Sequence, residues 1–230
     1  MSETLHVYIG WDARESVAWH VLSHSILARS TMPVAIHPIK LAQLPCLTRP
    51  RDPRQSNDFS FSRFLAPWLN GHEGWCLFLD ADMLCRADIA ELFALRDEDK
   101  AVQVVKHCYT PKYQKKYLGA RQYVYQRKNW SSVMLFNCSH RQTTALTPSL
   151  VNVATGEYLH QFGWCSDDVI GELPVEWNHL VEEYDENPDA KIVHWTNFGP
   201  WLDGHHDVEF APEWRMERGK MLYAMQEGVQ

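Results

Sequence analysis

The chain has 230 residues, 45% of them hydrophobic, with six cysteines and a formal net charge of −7. That length and apolar content suffice for one domain with a substantial core, and the acidic balance excludes a general nucleic-acid binder. No apolar run approaches a membrane span, the amino terminus lacks the basic flank and apolar stretch of a secretory leader, and the cysteines form no CxxC pair, so buried thiols in a cytosolic protein are expected.

In chain order, "LHVYIG" reads as a first strand ending at Gly10, and Asp12 with Glu15 three residues on resembles a capping box that opens a helix through Ala18, Leu22 and Ile26. Val34 to Ile39 forms a second strand, followed by the polar, proline-broken loop Thr48 to Asp58 and a short helix over "FSFSRFLAPWL". "WCLFLD" supplies the third strand, "ADIAELFAL" a helix, "AVQVVK" a fourth strand and "SSVMLFN" a fifth. Thr147-Pro148 starts another helix with Gly156 as its stop, "AKIVHW" is a late strand, and Pro212 opens a final helix carrying Met221, Leu222 and Met225. Strands alternating with helices imply an α/β fold with a mostly parallel, doubly wound sheet.

The charges are unevenly spread. From Ala101 to Gly156 there is no Asp or Glu, while Lys106, Lys112, Lys115, Lys116, Arg121, Arg127, Lys128 and Arg141 fall there. Something anionic is expected against this region, and peripheral contact with an anionic membrane face is compatible with it. Within it Tyr109, Tyr113 and Tyr117 recur four apart, the spacing of one helical face. That face reads either as an acceptor-side lid or as a surface helix packed on the domain.

Ligands of open α/β sheets bind beyond the carboxyl ends of the strands. Three such ends carry chemistry here: Gly10-Trp11-Asp12, Asp80-Ala81-Asp82, and His194 ahead of "WTNFGPW". Two carboxylates delivered by an apolar strand repel each other unless a cation or hydrogen-bond donors compensate, so Asp80 and Asp82 read as metal ligands or as caps of the next turn. His194 can add an imidazole, which shifts an oxygen-ligand site toward Mn²⁺ over Mg²⁺. A phosphatase nucleophile-acid pair is disfavoured, because Leu84 stands where that motif has Thr or Val and the strand is the third.

The ordered series "SFSRFLAPWL", "GWCLFLDADMLCRADIAELF", "WSSVMLFN", "SDDVIGELPVEWN" and "IVHWTNFGPW" resembles the motifs of GT-A fold glycosyltransferases, most similar to family 8. The resemblance implies a single Rossmann-like GT-A catalytic domain over 1–230. Its layout would be a nucleotide-sugar and metal half over 1–105, an acceptor half over 106–210 and a carboxyl-terminal helix over 211–230. It implies Mn²⁺ (or Mg²⁺) on Asp80, Asp82 and His194, a nucleotide-diphosphate sugar, usually a UDP-sugar, as donor, and a glycan or lipid-linked acceptor. Arg63 would contact the donor sugar or its phosphates, with Asp80, Ser132 and Trp201 in the same donor site, and Gly10, Trp11 and Asp12 would face the base. Asp167 and Asp168 would act on the sugar during a transfer that retains anomeric configuration; from the residues alone they read equally as a helix cap. The chain departs from the family in having Trp130-Ser131-Ser132 for Asn-Ala/Ser-Gly, Ser166-Asp167-Asp168 for Asp-Gln-Asp, and no lysine in "HWTNFGPW". A sugar nucleotidyltransferase is a weaker match, since "IGWDARES" offers only Arg14 where those enzymes have a Gly-rich basic loop, and a non-catalytic sugar-nucleotide binder would carry the same residues.

Overall fold

A computed structural model describes residues 3–116 and 119–223. The elements in chain order are β1 (Leu5–Trp11), α1 (Ser16–Arg29), β2 (Val34–Lys40), α2 (Ala66–Leu69), β3 (Trp75–Leu79), β4 (Met83–Cys85), α3 (Ile89–Phe93) and β5 (Val102–Val104). Then follow β6 (Lys115–Lys116), β7 (Ala120–Arg121), β8 (Val133–Asn137), α4 (Pro148–Val153), α5 (Gly156–His160), β9 (Ile170–Glu172), β10 (His179–Leu180), β11 (Ile192–His194) and α6 (Ala211–Leu222).

The central sheet has six strands in the order β2-β1-β3-β8-β5-β9. β1 pairs in parallel with β2 and β3, and β5 with β9, whereas β8 runs antiparallel between β3 and β5. The reversal follows from the path of the chain. After β5 the chain makes its long basic excursion beyond the carboxyl edge of the sheet, so β8 starts at that edge, with Val133 beside Leu79, and runs back. Every residue of β3 is buried, as its unbroken "WCLFL" demands of a strand covered on both faces.

The carboxylate motif marks where one sheet gives way to another. β3 stops at Leu79, the backbone bends through Asp80 to Asp82, and the chain resumes as β4 in a three-stranded sheet of order β10-β11-β4. There His194 is in register with Met83, and the Trp195 amide donates to the Asp82 carbonyl at 2.9 Å. The late strand therefore belongs to this second sheet, over a separate cluster of Val193, Trp195, Phe210 and Trp214.

Three local expectations need correction. Gly156 begins α5 instead of ending α4, because Thr155 caps α5 by accepting from the Tyr158 amide. The Asp12/Glu15 capping box does not close: Asp12 accepts from the Arg14 amide, and Glu15 makes no cap hydrogen bond. The tyrosine-rich segment forms a short hairpin, Lys115 opposite Arg121, instead of a helix. Pro111 lacks an amide donor, Gly119 takes a left-handed φ of 75° at the turn, and the Lys112 amide goes to Glu183 Oε2. Tyr117 lies outside the described residues, as does Met225.

α6 packs on α1. Glu217, buried, accepts from His24 at 2.6 Å and Arg29 at 2.7 Å, and Trp214 enters the second cluster. All six cysteines are free thiols, Cys76, Cys85 and Cys138 buried, Cys46 and Cys165 half-buried and Cys108 exposed. Among the described residues no helix is long and apolar enough to cross a membrane.

Candidate active site

A cavity of 460 Å³ opens beyond the carboxyl ends of β1 and β3, lined by Asp80, Asp82 and His194 at its base and by the 52–57 loop and the 121–129 segment around it. The ligand atoms of Asp80, Asp82 and His194 lie within 4.8 Å of one another. Different elements deliver them: the bend after β3 carries the two carboxylates, and β11, paired to β4, brings the imidazole to Asp82, with Nε2 3.3 Å from Oδ1.

The hydrogen bonds around His194 fix which of its nitrogens faces the cluster. Asn178 Nδ2 donates to Ser132 Oγ at 2.8 Å and to the Asn129 carbonyl, so Asn178 Oδ1 is the atom 3.0 Å from His194 Nδ1. A carboxamide oxygen only accepts, which puts the ring proton on Nδ1 and leaves the Nε2 lone pair pointing at Asp82. Asp82 Oδ1 is itself buried with no hydrogen-bond donor. Two lone pairs facing each other in a buried site fit a cation, and a set of two carboxylates and one imidazole suits Mn²⁺, with Mg²⁺ the harder alternative.

Arg63 is buried and sets the position of Asp80: its Nη1 lies 2.7 Å from Asp80 Oδ1 and 2.9 Å from the Ser131 carbonyl. Burial pushes the Asp80 carboxyl up to about 6, with the charge of Asp82 acting in the same sense, against the opposing pull of the Arg63 guanidinium. Glu15, 3% exposed, also lines the cavity. Burial first, then the charges of Asp82, Asp12 and Asp80, hold its carboxyl well above the ordinary range.

Other candidate residues lie elsewhere. Gly10 packs under Phe59, whose ring would be 2.3 Å from an added Cβ. Trp11 lies against Trp19 and His20, outside the cavity lining. Asp12, 1% exposed, is taken up by Arg14 and by the Asp58 amide. It reaches the cavity only through the 52–58 loop it holds, to which Arg14 adds a bond to the Ser56 carbonyl at 3.0 Å. Ser132 is buried behind the site, its carbonyl accepting from the Asp80 amide at 3.0 Å, and Ser131 lines the cavity in its place. Trp201 packs on Trp195 and Trp214.

Asp167 and Asp168 do not line the cavity either. They sit in a single 3-10 turn before β9, with the Asp167 side chain 79% exposed and paired to Arg127 at 2.7 Å. An acidic pair in a turn at the start of a strand meets solvent; the residue at the head of the turn is Ser166, which makes no side-chain cap hydrogen bond. The sequence reading missed Glu15, treated as a cap; Asn178, part of "VEWN" two residues before Leu180; and Lys128, one of many basic residues in its segment.

The fold and this site define the class: the chain has the fold of the GT-A glycosyltransferases. It is similar to the bifunctional glycosyltransferase WbbM with a TM-score of 0.67 and 13% identity over 95% of this chain, spanning 50% of WbbM, about half its length. It is similar to the galactosyltransferase LgtC, solved with donor and acceptor sugar analogs, with a TM-score of 0.62 and 11% identity over 97% of this chain and 98% of that one. At such identities the likeness shows the fold. By sequence the chain belongs to the family of Protein CDI of Arabidopsis thaliana, to which it is 45% identical over 219 residues, 92% of this chain and 85% of that protein. No family model matches it.

Proposed function

We propose that this chain is a metal-dependent glycosyltransferase, nearest to family 8, that moves a hexose from a UDP-sugar to a glycan or lipid-linked acceptor with retention of configuration. The observation that carries the reading is the Asp80, Asp82 and His194 set at the base of a 460 Å³ cavity on the ligand-binding edge of the sheet. The likeness to LgtC, whose structure holds donor and acceptor sugar analogs, supports the substrate class. The half over 1–105 supplies the carboxylates, that over 106–210 the imidazole and the walls on the acceptor side.

When bound, Mn²⁺ supplies Lewis-acid opposition to the charge that builds on the departing diphosphate. The residues of the chain do the rest. Asn178 holds His194 in the tautomer with a lone pair toward the carboxylates, and Arg63 fixes Asp80 by ion pairing, so neither ligand must reorganise. The protein works in the cytosol, with peripheral access to membrane-bound acceptors.

Purified protein, Mn²⁺ and a panel of nucleotide sugars test the reading, scored for transfer and for slow donor hydrolysis. UDP-hexose turnover that stops in chelator and in Asp80→Asn and Asp82→Asn is expected; activity indifferent to all three contradicts it. The exposed placement of Asp167 and Asp168 favours one other reading, a sugar-nucleotide binder without turnover, which any donor hydrolysis excludes.

A further inference from the structure

A second cavity, of 440 Å³, opens along the same edge of the central sheet, lined by the residues that follow β5 and β9 together with Tyr184. β5 and β9 pair in parallel with Val104 beside Glu172, so both strands end there, and their carboxyl ends are where open α/β sheets take ligands. β5 lies two strands from β3, roughly 10 Å across the sheet. The two cavities share no lining residue.

The chain leaves both strands sharply. The His107 amide donates to the Val105 carbonyl at 3.0 Å in a three-residue turn, and Trp130 Nε1 holds that turn by donating to the His107 carbonyl at 2.8 Å. After β9, Pro174 has no amide with which to continue the ladder. These turns bring Lys106 and His107 into one cavity with Leu173, Pro174 and Val175.

One polar atom there is unmet. His107 is 6% exposed, its Nδ1 lies 2.9 Å from Tyr184 Oη, and its Nε2 is buried with no hydrogen-bond partner. Which way the bond to Tyr184 runs decides whether Nε2 donates or accepts, and in both cases a buried polar atom without a partner is costly. A ligand hydroxyl meets it in either case, because a hydroxyl both donates and accepts.

The charges narrow the ligand class. Lys106 is half-buried, with Nζ 5.9 Å over the Trp130 ring, Glu172 is exposed, and among the described residues neither has an ion-pair partner. A ligand anion would meet Glu172 and a ligand cation Lys106, so neither sign suits the cavity. What remains is an ammonium that only donates, a carboxylate that only accepts, an imidazole nitrogen, and an apolar wall of Leu173, Pro174 and Val175. A molecule with several hydroxyls and an apolar C–H face matches that set. We propose that this second cavity binds a neutral sugar unit of the acceptor, away from the unit that reacts. The acceptor role rests on the glycosyltransferase reading above; the sugar binding itself does not.

An array of immobilised neutral glycans, probed with labelled full-length protein in UDP and Mg²⁺ to fill the first cavity, tests the assignment. Wild type and Asp82→Asn retain the same glycans. Apparent affinity falls about tenfold or more in Lys106→Met and Glu172→Ala, each of which removes a charged hydrogen-bonding group, and several-fold in His107→Phe. A wild type that binds no glycan overturns the inference and leaves water as the partner of Nε2. Binding that survives all three changes, or is lost in Asp82→Asn alone, puts the sugar elsewhere and overturns it as well. If His107→Phe does not fold, Lys106→Met and Glu172→Ala decide. Donor hydrolysis with Mn²⁺, scored on wild type, separates the two readings. Hydrolysis without glycan binding leaves the donor reading standing; glycan binding mapped to this cavity without hydrolysis overturns the donor reading and the acceptor role with it.

Discussion

Glu217 and Asp80 are both buried carboxylates, but their surroundings differ. Glu217, between α1 and α6, receives Arg29 and His24 at 2.7 and 2.6 Å, and these contacts outweigh its burial and hold its carboxyl below the ordinary range. Asp80 has Arg63, yet burial and the neighbouring Asp82 win, and its carboxyl rises to about 6, beside an Asp82 oxygen with no donor at all. The first arrangement is saturated and holds two helices together. The second is short of positive charge in a cavity, which is the condition for binding a cation.

The comparison can be broken from either side. The largest effect is expected at the deficient centre: Asp82→Asn lowers metal-supported turnover by about 10²–10³-fold, read by donor hydrolysis, with little change in thermal unfolding. Arg63→Met removes the one cation Asp80 has and leaves a buried carboxylate unpaired, so unfolding in urea shifts by about 3 kcal/mol or more at neutral pH. Asn178→Leu frees the His194 tautomer and weakens Mn²⁺ affinity about 10–100-fold while the carboxylates stay in place.

At the saturated centre the expected effect is on stability alone. Glu217→Gln destabilises at pH 7 by about 1–2 kcal/mol, less than a fully buried pair because Arg29 and His24 still meet solvent. The folded-state carboxyl lies below its unfolded value, so its contribution is present above the unfolded pKa and lost as pH falls through the folded one. Melting curves of wild type and Glu217→Gln therefore converge on acidification below about 4.5, and a difference that persists there contradicts the account. The smallest effect belongs to Asp167→Asn: an exposed pair with Arg127 is worth at most about 1 kcal/mol, and Mn²⁺ affinity should stay within about twofold of wild type.

What the sequence made legible followed from local chemistry. The unbroken apolar "WCLFL" marked a fully covered strand, and Asp80 and Asp82 at its end met His194, because backbone direction alone carries a strand-end residue to the ligand edge. What it hid was set by long-range pairing. That β8 reverses, and that β11 leaves the central sheet, depends on where the 106–130 excursion ends and on the bend after Leu79, which no local pattern encodes. Tyrosines four apart suggested a helix, but Pro111, Gly119 and the claim of Glu183 on the Lys112 amide outweighed side-chain spacing. Asp12 and Glu15 were legible as a pair and misread in role, since burial decided that one would hold a loop and the other face the cavity. Asn178 had no signal of its own: its importance is its contact with His194, sixteen residues later.

The central claim is that the charge-deficient centre, and not the exposed acidic turn, is the metal site. Direct Mn²⁺ titration, followed by electron paramagnetic resonance on wild type, Asp82→Asn and Asp167→Asn, tests it without any substrate. One tightly bound ion in wild type and Asp167→Asn, lost in Asp82→Asn, is the predicted result. Undiminished binding in Asp82→Asn, or loss in Asp167→Asn alone, would contradict it.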